Sequence, residues 1–185
     1  MKKDTYQDYW IYVFLLISVV VLWEAFLPYG ISVRNQVIST TVFFLPFTFL
    51  LIHIIDWKYS YRKAILATVF SSLSFILFFF FSSLALGKNI LFSDIVGELC
   101  GYTVSQFINL FVFEFVIQRK KKNGMFLYFH YLISFLIYDL FYLFIYISKI
   151  VFEDFWFVYF FSLLLEIIVA VPFTWFDKSV QKKIS

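Results

Sequence analysis

A chain of 185 residues that is 63% hydrophobic, 25% aromatic and 15% charged, with a formal charge of +3, is too apolar for a monomeric water-soluble domain. Its charged residues gather in short clusters between apolar runs, with no basic stripe or recognition motif, which excludes nucleic acid as a partner. The single cysteine, Cys100, excludes an internal disulfide, and its place in an apolar run marks a small packed side chain.

The N-terminal stretch MKKDTYQDYWIYVFLLISVVVLWEAF starts like a signal peptide, but its apolar run is too long and no small-residue cleavage site follows. It is expected to remain as a first span near residues 10–27. With about 20 apolar residues per crossing, further spans are expected near 40–57, 64–86, 92–117, 126–148 and 155–176. The runs are continuous rather than alternating, which argues for helices and against a β-barrel. The expected fold is all-α: one polytopic six-helix transmembrane domain over residues 1–185. In span three, FILFFFFSS is read as lipid-facing and core surface, with Ser71, Ser72, Ser74, Ser82 and Ser83 bonding back to helix carbonyls or permitting close packing. Pro46 and Pro172 fall inside spans two and six, where a static kink is the default.

Lys and Arg set the direction. Twelve lie at the termini and in the second and fourth loops: Lys2 and Lys3, Lys58, Arg62 and Lys63, Arg119 to Lys122, and Lys178, Lys182 and Lys183. The other side holds three, Arg34, Lys88 and Lys149. By the positive-inside rule both termini are cytoplasmic, and the expected location is the bacterial inner (plasma) membrane. RKKKNG is read as a topology anchor.

An acid at the centre of a spanning helix costs roughly 2.5–3.5 kcal/mol on insertion scales, so each one needs a partner, water or a function. Asp139 and Glu166 lie near the middle of spans five and six, Gln106 and Asn109 near the middle of span four, and His53 toward the cytoplasmic end of span two. Helical spacing puts Glu98, Tyr102, Ser105, Gln106, Asn109 and Phe113 on one stripe of span four, with Glu114 turned away. Phe135, Tyr142 and Tyr146 share the face of Asp139, whereas His130, nine residues off, is expected opposite and outside the site. Tyr159, Ser162, Ala170 and Phe173 align with Glu166. The expected site is a hydrated interior that stacks a flat ring and bonds its edge, lined by His53, Tyr102, Ser105, Gln106, Asn109, Asp139 and Glu166. The competing reading is that these groups only join helices.

No HExxH, GxSxG, phosphate-cradling glycine loop or Cys/His cluster occurs in the chain. The protein is expected not to be an enzyme and to hold no cofactor or metal.

LPFTFLLIHIIDWKYSYRKA (45–64), GYTVSQFINLFVF (101–113), YDLFYLFIY (138–146) and EIIVAVPF (166–173) together resemble motifs of the queuosine-precursor transporter family, also called vitamin uptake transporter-like. The resemblance covers about half the chain in the right order. It implies a six-helix importer of 7-deazaguanine precursors, with Gln106 and Asp139 matching the family pattern. His53 and Asn109 stand where the family has Asp, Ser60 where it has Gly, and Glu166 where it has Lys.

Two other functions remain open on the sequence: a substrate-binding subunit of an energy-coupled vitamin importer, and a non-transport membrane assembly protein. The expected partners are a small-molecule substrate, the lipid bilayer, and a second copy or a coupling subunit.

Overall fold

The computed structural model describes residues 6–26, 31–33, 36–38, 41–85, 92–118, 129–138, 140, 160, 164–165, 167–176 and 178–179. The protein is helical. Among the described residues the helices are α1 (Tyr6–Phe26), α2 (Thr41–Lys58), α3 (Tyr61–Ala85), α4 (Phe92–Val112), α5 (Phe129–Tyr138) and α6 (Ile167–Phe176). A π-helical segment, Phe113–Gln118, continues α4. Between α1 and α2, Ile31–Val33 and Gln36–Ile38 form a short antiparallel pair, β1 and β2, in the register Ile31 to Ile38. The expected all-α reading did not include this pair.

These helices begin where their residues allow. α1 and α4 each have 21 residues, about 31 Å at 1.5 Å per residue, close to the roughly 30 Å thickness of a bilayer's hydrocarbon core. By length and composition, one helix among the described residues is long and apolar enough to cross a membrane: Tyr61–Ser82, within α3. The others contain shorter apolar stretches, including Asp8–Trp23 and Leu99–Phe115.

α1 buries Tyr9, Val13, Leu16, Val20 and Trp23 while leaving Ile11, Phe14, Leu15 and Leu22 exposed. Both faces are thus apolar. α3 repeats the pattern with smaller inner residues: Ala64, Ala67, Thr68, Ser71 and Ser72 face inward, and Leu66, Val69, Leu73, Leu77, Phe80 and Leu84 face outward. Small side chains at this spacing let backbones approach closely. α3 packs on α1, α2 and α4, and α2 also touches α1 and α4. Ser71, Ser74 and Ser82 each bond back to a carbonyl of their own helix at 2.9 to 3.0 Å, as expected for them, so their hydroxyls leave no unmet polarity in the apolar surround.

The buried apolar residues form two clusters. One gathers Val20, Trp23, Leu45, Phe49, Phe75, Tyr102, Tyr131, Phe135, Tyr138, Ala170 and Phe173, joining all six helices. Ala170 and Phe173 are therefore the inward face of α6, as their spacing indicated. The other gathers Tyr9, Val13, Leu16, Ile52, Ile55, Ala64, Ala67 and Leu110 at the opposite end.

That second end is closed by aromatic and basic side chains. Lys58 Nζ donates to the Tyr12 hydroxyl at 2.9 Å. Lys63 Nζ lies 4.9 Å from the centroid of the Tyr9 ring, and Tyr9 donates its hydroxyl proton to the Lys63 carbonyl at 3.2 Å. The start of α1 is thereby tied to the α2–α3 connection.

The connection itself is two residues, Tyr59 and Ser60. Ser60 Oγ accepts from the Lys63 amide at 3.4 Å, the N-cap geometry that meets one orphan donor of α3. Ser60 also has a φ of 155°, in a region where glycine is favoured and other residues are strained. Cap and strain oppose each other at one residue. Ser60→Ala removes the cap and keeps the strain, so it is expected to destabilise the protein by about 1 kcal/mol. Ser60→Gly relieves the strain at a cost of only a few tenths in capping, and thermal unfolding in detergent should find it at least as stable as the native chain. A Gly variant less stable than the Ala variant would refute this balance.

Candidate functional site

Where the two apolar clusters meet, α2, α4 and α5 contribute a layer of buried polar side chains: Thr48 and His53, Ser105, Gln106 and Asn109, and His130 and Ser134. The stripe expected on α4 is present. Tyr102, Ser105, Gln106, Asn109 and Phe113 are all fully buried, while Glu114 is half-buried. Asp139 and Glu166 lie outside the described residues, as do Tyr142, Tyr146, Tyr159, Ser162 and the side chain of Glu98.

Counting protons fixes the state of Gln106. Thr48 Oγ1 donates to the Leu45 carbonyl at 2.7 Å, which uses its only proton. Thr48 can then only accept from Gln106, so the Gln106 Nε2 amide donates to Thr48 Oγ1. Among the described residues Gln106 Oε1 is left buried without a hydrogen-bond partner. An unmet buried acceptor costs roughly 1–3 kcal/mol, so this oxygen is a place where a donor from a ligand would be favoured.

A turn away toward the first cluster, Tyr102 donates to Ser71 Oγ at 3.0 Å, and Ser71 in turn donates to the Thr68 carbonyl at 2.9 Å. Thr103 donates to Ser72 Oγ at 3.1 Å. Two hydroxyl pairs thus join α3 to α4. Ser105 donates to the Tyr102 carbonyl at 2.8 Å, which commits its proton inside the helix; its expected role at the site is reduced to accepting.

Trp23 is fully buried at the centre of an aromatic cage. Phe75, Tyr102 and Tyr138 meet its ring edge-on, with centroids 5.8, 5.4 and 5.6 Å away, and Phe75 stacks on Tyr102 at 5.4 Å. Edge-on contacts satisfy the rings' quadrupoles but not the indole N–H, and Trp23 Nε1 has no hydrogen-bond partner among the described residues. Tyr102, which touches Trp23, stands four residues before Gln106 on α4.

Asn109 is the hub of the layer. Its Nδ2 donates to His53 Nε2 at 3.0 Å, and its Oδ1 lies 3.3 Å from Ser134 Oγ, whose single proton has a closer acceptor in the His130 carbonyl at 2.9 Å. His130 Nε2 donates to the Asn109 backbone carbonyl at 2.7 Å. One residue of α4 therefore engages α2 and α5 together. Phe113 stacks flat on His53, with centroids 3.9 Å apart and planes 9° from parallel.

His130 corrects an expectation. Spacing from Asp139 alone puts it opposite the site. The buried face of α5 is instead His130, Tyr131, Ser134, Phe135 and Tyr138, a broad arc that includes His130. Thr48, Trp23, His130 and Ser134 were all absent from the expected set. The pairing of His130 with Ser134 one turn later was a legible signal, because two polar groups at i and i+4 in an apolar run must share a face.

The Asn109 hub predicts a measurable loss. Asn109→Leu leaves His53 Nε2 and the His130 Nε2 hydrogen bond network without its central amide, while the backbone carbonyl contact remains. About 1–2 kcal/mol of stability should be lost, read as a lower unfolding midpoint in detergent. An unchanged midpoint would show that the hub contributes nothing to the bundle.

With this geometry in place, the class that the fold defines is a helical bundle with a polar layer inside and an apolar exterior. No protein-family model, characterised protein or solved structure matches the chain, and the family resemblance rests on the quoted motifs.

Proposed function

We propose that the chain is a six-span integral membrane protein, termini cytoplasmic, that transports a small planar nucleobase-like molecule, with 7-deazaguanines as the first substrates to try. The membrane part of this reading is supported by the inversion of polarity. Large apolar side chains such as Phe14, Leu77, Phe81 and Phe111 are exposed, whereas Thr48, His53, Gln106 and Asn109 are buried; an apolar liquid outside makes that arrangement favourable, and water does not. The aromatic and lysine-rich end formed by Tyr9, Tyr12, Lys58 and Lys63 has the composition of a membrane interface on the cytoplasmic side.

The observation that carries the transport part is Gln106 Oε1, an acceptor held without a donor at mid-depth by the bond of its own amide to Thr48. Among the described residues Trp23 Nε1 is an unmet donor, on a ring that packs against Tyr102 of the same α4 stripe. A planar heterocycle presents donors and acceptors on its edge and a face for aromatic rings. The resemblance of the Gln106 and Asp139 segments to queuosine-precursor transporters supports the same substrate class. Purified protein reconstituted into liposomes should show saturable uptake of a 7-deazaguanine. Failure across nucleobases and vitamins would remove this reading.

The assembly-protein reading draws on a different observation: Thr48 with Gln106, Ser71 with Tyr102, and Asn109 with His53 and His130 are hydrogen-bonded between helices. Interhelical polar contacts of this kind stabilise a bundle without any ligand. Under that reading, substitutions in the layer alter folding and change the uptake of nothing.

A further inference from the structure

Thr48 is bonded on both sides of its hydroxyl. The O–H donates to the Leu45 carbonyl one turn back on α2 at 2.7 Å, and the oxygen accepts from Gln106 Nε2 on α4. Both side chains are fully buried. A carboxamide is a donor at one end and an acceptor at the other, so whatever fixes one end decides what the other offers. Turning the Gln106 amide over would set Oε1 against Thr48 Oγ1, two oxygens with no proton between them unless Thr48 gives up the Leu45 carbonyl. The Tyr102 hydroxyl also interacts with Thr48. A Thr48 proton spent there would still leave Oγ1 accepting from Gln106.

We propose that Thr48 determines the specificity of the candidate site. By holding the Gln106 amide in one orientation it keeps Oε1 as a lone-pair acceptor, so the site selects planar rings that carry an amino or N–H group at that edge and rejects rings that bring a carbonyl there. The selectivity rests on the transport reading above and deepens it. Thr48 is a positioning residue, acting through Gln106 without touching the ligand. Oε1 has no hydrogen-bond partner among the described residues, and a ligand N–H placed against it completes the bond. A ligand carbonyl would instead oppose oxygen to oxygen in a buried setting, where an unpaired acceptor is most costly. A site built to bond one group discriminates against an analogue lacking it far more strongly than an apolar pocket discriminates by shape.

The neighbours of Gln106 on α4 leave this assignment intact. Ser105 spends its proton on the Tyr102 carbonyl at 2.8 Å, and Asn109 Nδ2 bonds His53; neither bonds Oε1. On α2, Thr48 stands between Leu45 and Phe49, both buried in the first apolar cluster, which fixes the level at which its oxygen meets α4. Two substitutions therefore separate shape from orientation. Valine keeps the outline of threonine and offers the amide no acceptor, so the Gln106 side chain is free to present either end to a ligand. Serine keeps a hydroxyl able to bond back to a carbonyl of its own helix, and with it the acceptor that fixes the amide.

Three rings that differ at a single edge position provide the test: 7-deazaguanine with an amino group, 7-deazahypoxanthine with hydrogen and 7-deazaxanthine with a carbonyl. Equilibrium binding to the protein in lipid nanodiscs should rank them in that order, with the amino ring about tenfold tighter than the hydrogen ring, the worth of one hydrogen bond. Thr48→Val should bring the amino and carbonyl rings to similar affinity, and Thr48→Ser should keep the native ranking. A native chain that binds all three alike, or a Val variant that keeps the ranking, overturns the proposal. The amide is also read without a ligand, by NMR of 15N-glutamine-labelled protein with the Gln106 side chain assigned from its loss in Gln106→Leu. One of its amide protons should resonate downfield in the native and Ser chains and move upfield in the Val chain; no difference among the three overturns the hold of Thr48 on Gln106. Failure of the native chain to bind any of the rings removes the transport reading and the selectivity with it, while the labelled amide still decides whether Thr48 sets the orientation.

Discussion

Trp23→Phe is expected to keep the bundle and lose the ligand, whereas Trp23→Ala is expected to lose the bundle. Phenylalanine keeps an aromatic ring beside Phe75, Tyr102 and Tyr138 but removes the second ring of the indole together with its N–H, which has no hydrogen-bond partner among the described residues. Removing an unmet donor relieves a desolvation cost and the smaller ring leaves a void in the core, so the Phe variant should be destabilised by about 1–2 kcal/mol, well short of the Ala variant. Its affinity for a nucleobase-like substrate should fall about tenfold, the equivalent of one hydrogen bond of about 1.4 kcal/mol. Truncation to Ala empties the centre of a cage that joins α1, α3, α4 and α5, and a cost of about 3–5 kcal/mol is typical of that change. Thermal unfolding and equilibrium binding on the same preparations separate the two effects. A Phe variant that binds as well as the native chain would place the ligand elsewhere.

Gln106→Leu should act on binding more than on folding. Leucine nearly matches the volume of glutamine, removes the unmet oxygen and frees Thr48 Oγ1, whose own proton stays with the Leu45 carbonyl. The lost Gln106–Thr48 bond and the lost orphan acceptor largely offset each other in stability. Binding loses the acceptor outright, and about 10- to 100-fold of affinity should go with it, corresponding to about 1.4–2.8 kcal/mol. Retained uptake in the Leu variant would favour the reading in which this layer only joins helices.

How far the sequence reaches can be judged residue by residue. The spans expected near 10–27, 40–57 and 64–86 correspond to Tyr6–Phe26, Thr41–Lys58 and Tyr61–Ala85. The helices start earlier than the apolar runs at α1 and α3 because hydropathy does not register what holds a polar first turn: the Ser60 cap and the pairing of Tyr9 and Tyr12 with lysines. The α4 stripe was legible because 3.6-residue periodicity is a property of one helix. His130 was not, because its place depends on which arc of α5 the neighbouring helices cover, a tertiary fact. The β1–β2 pair carried a readable signal in its β-branched residues flanking Arg34 and Asn35, yet hydropathy alone passes over six residues. The unmet atoms of Gln106 and Trp23 were beyond reach of any pattern, since they follow from where the protons of Thr48 and its neighbours are spent.

The two-residue link at Tyr59 and Ser60 has a bearing on biogenesis. On the proposed membrane reading, so short a leash gives α2 and α3 no slack to enter a bilayer at separate times, and the knot of lysines and tyrosines at its tip resists being dragged through. The pair would thread as a single hairpin, tip last, and any engineered reversal of one leg must reverse the other.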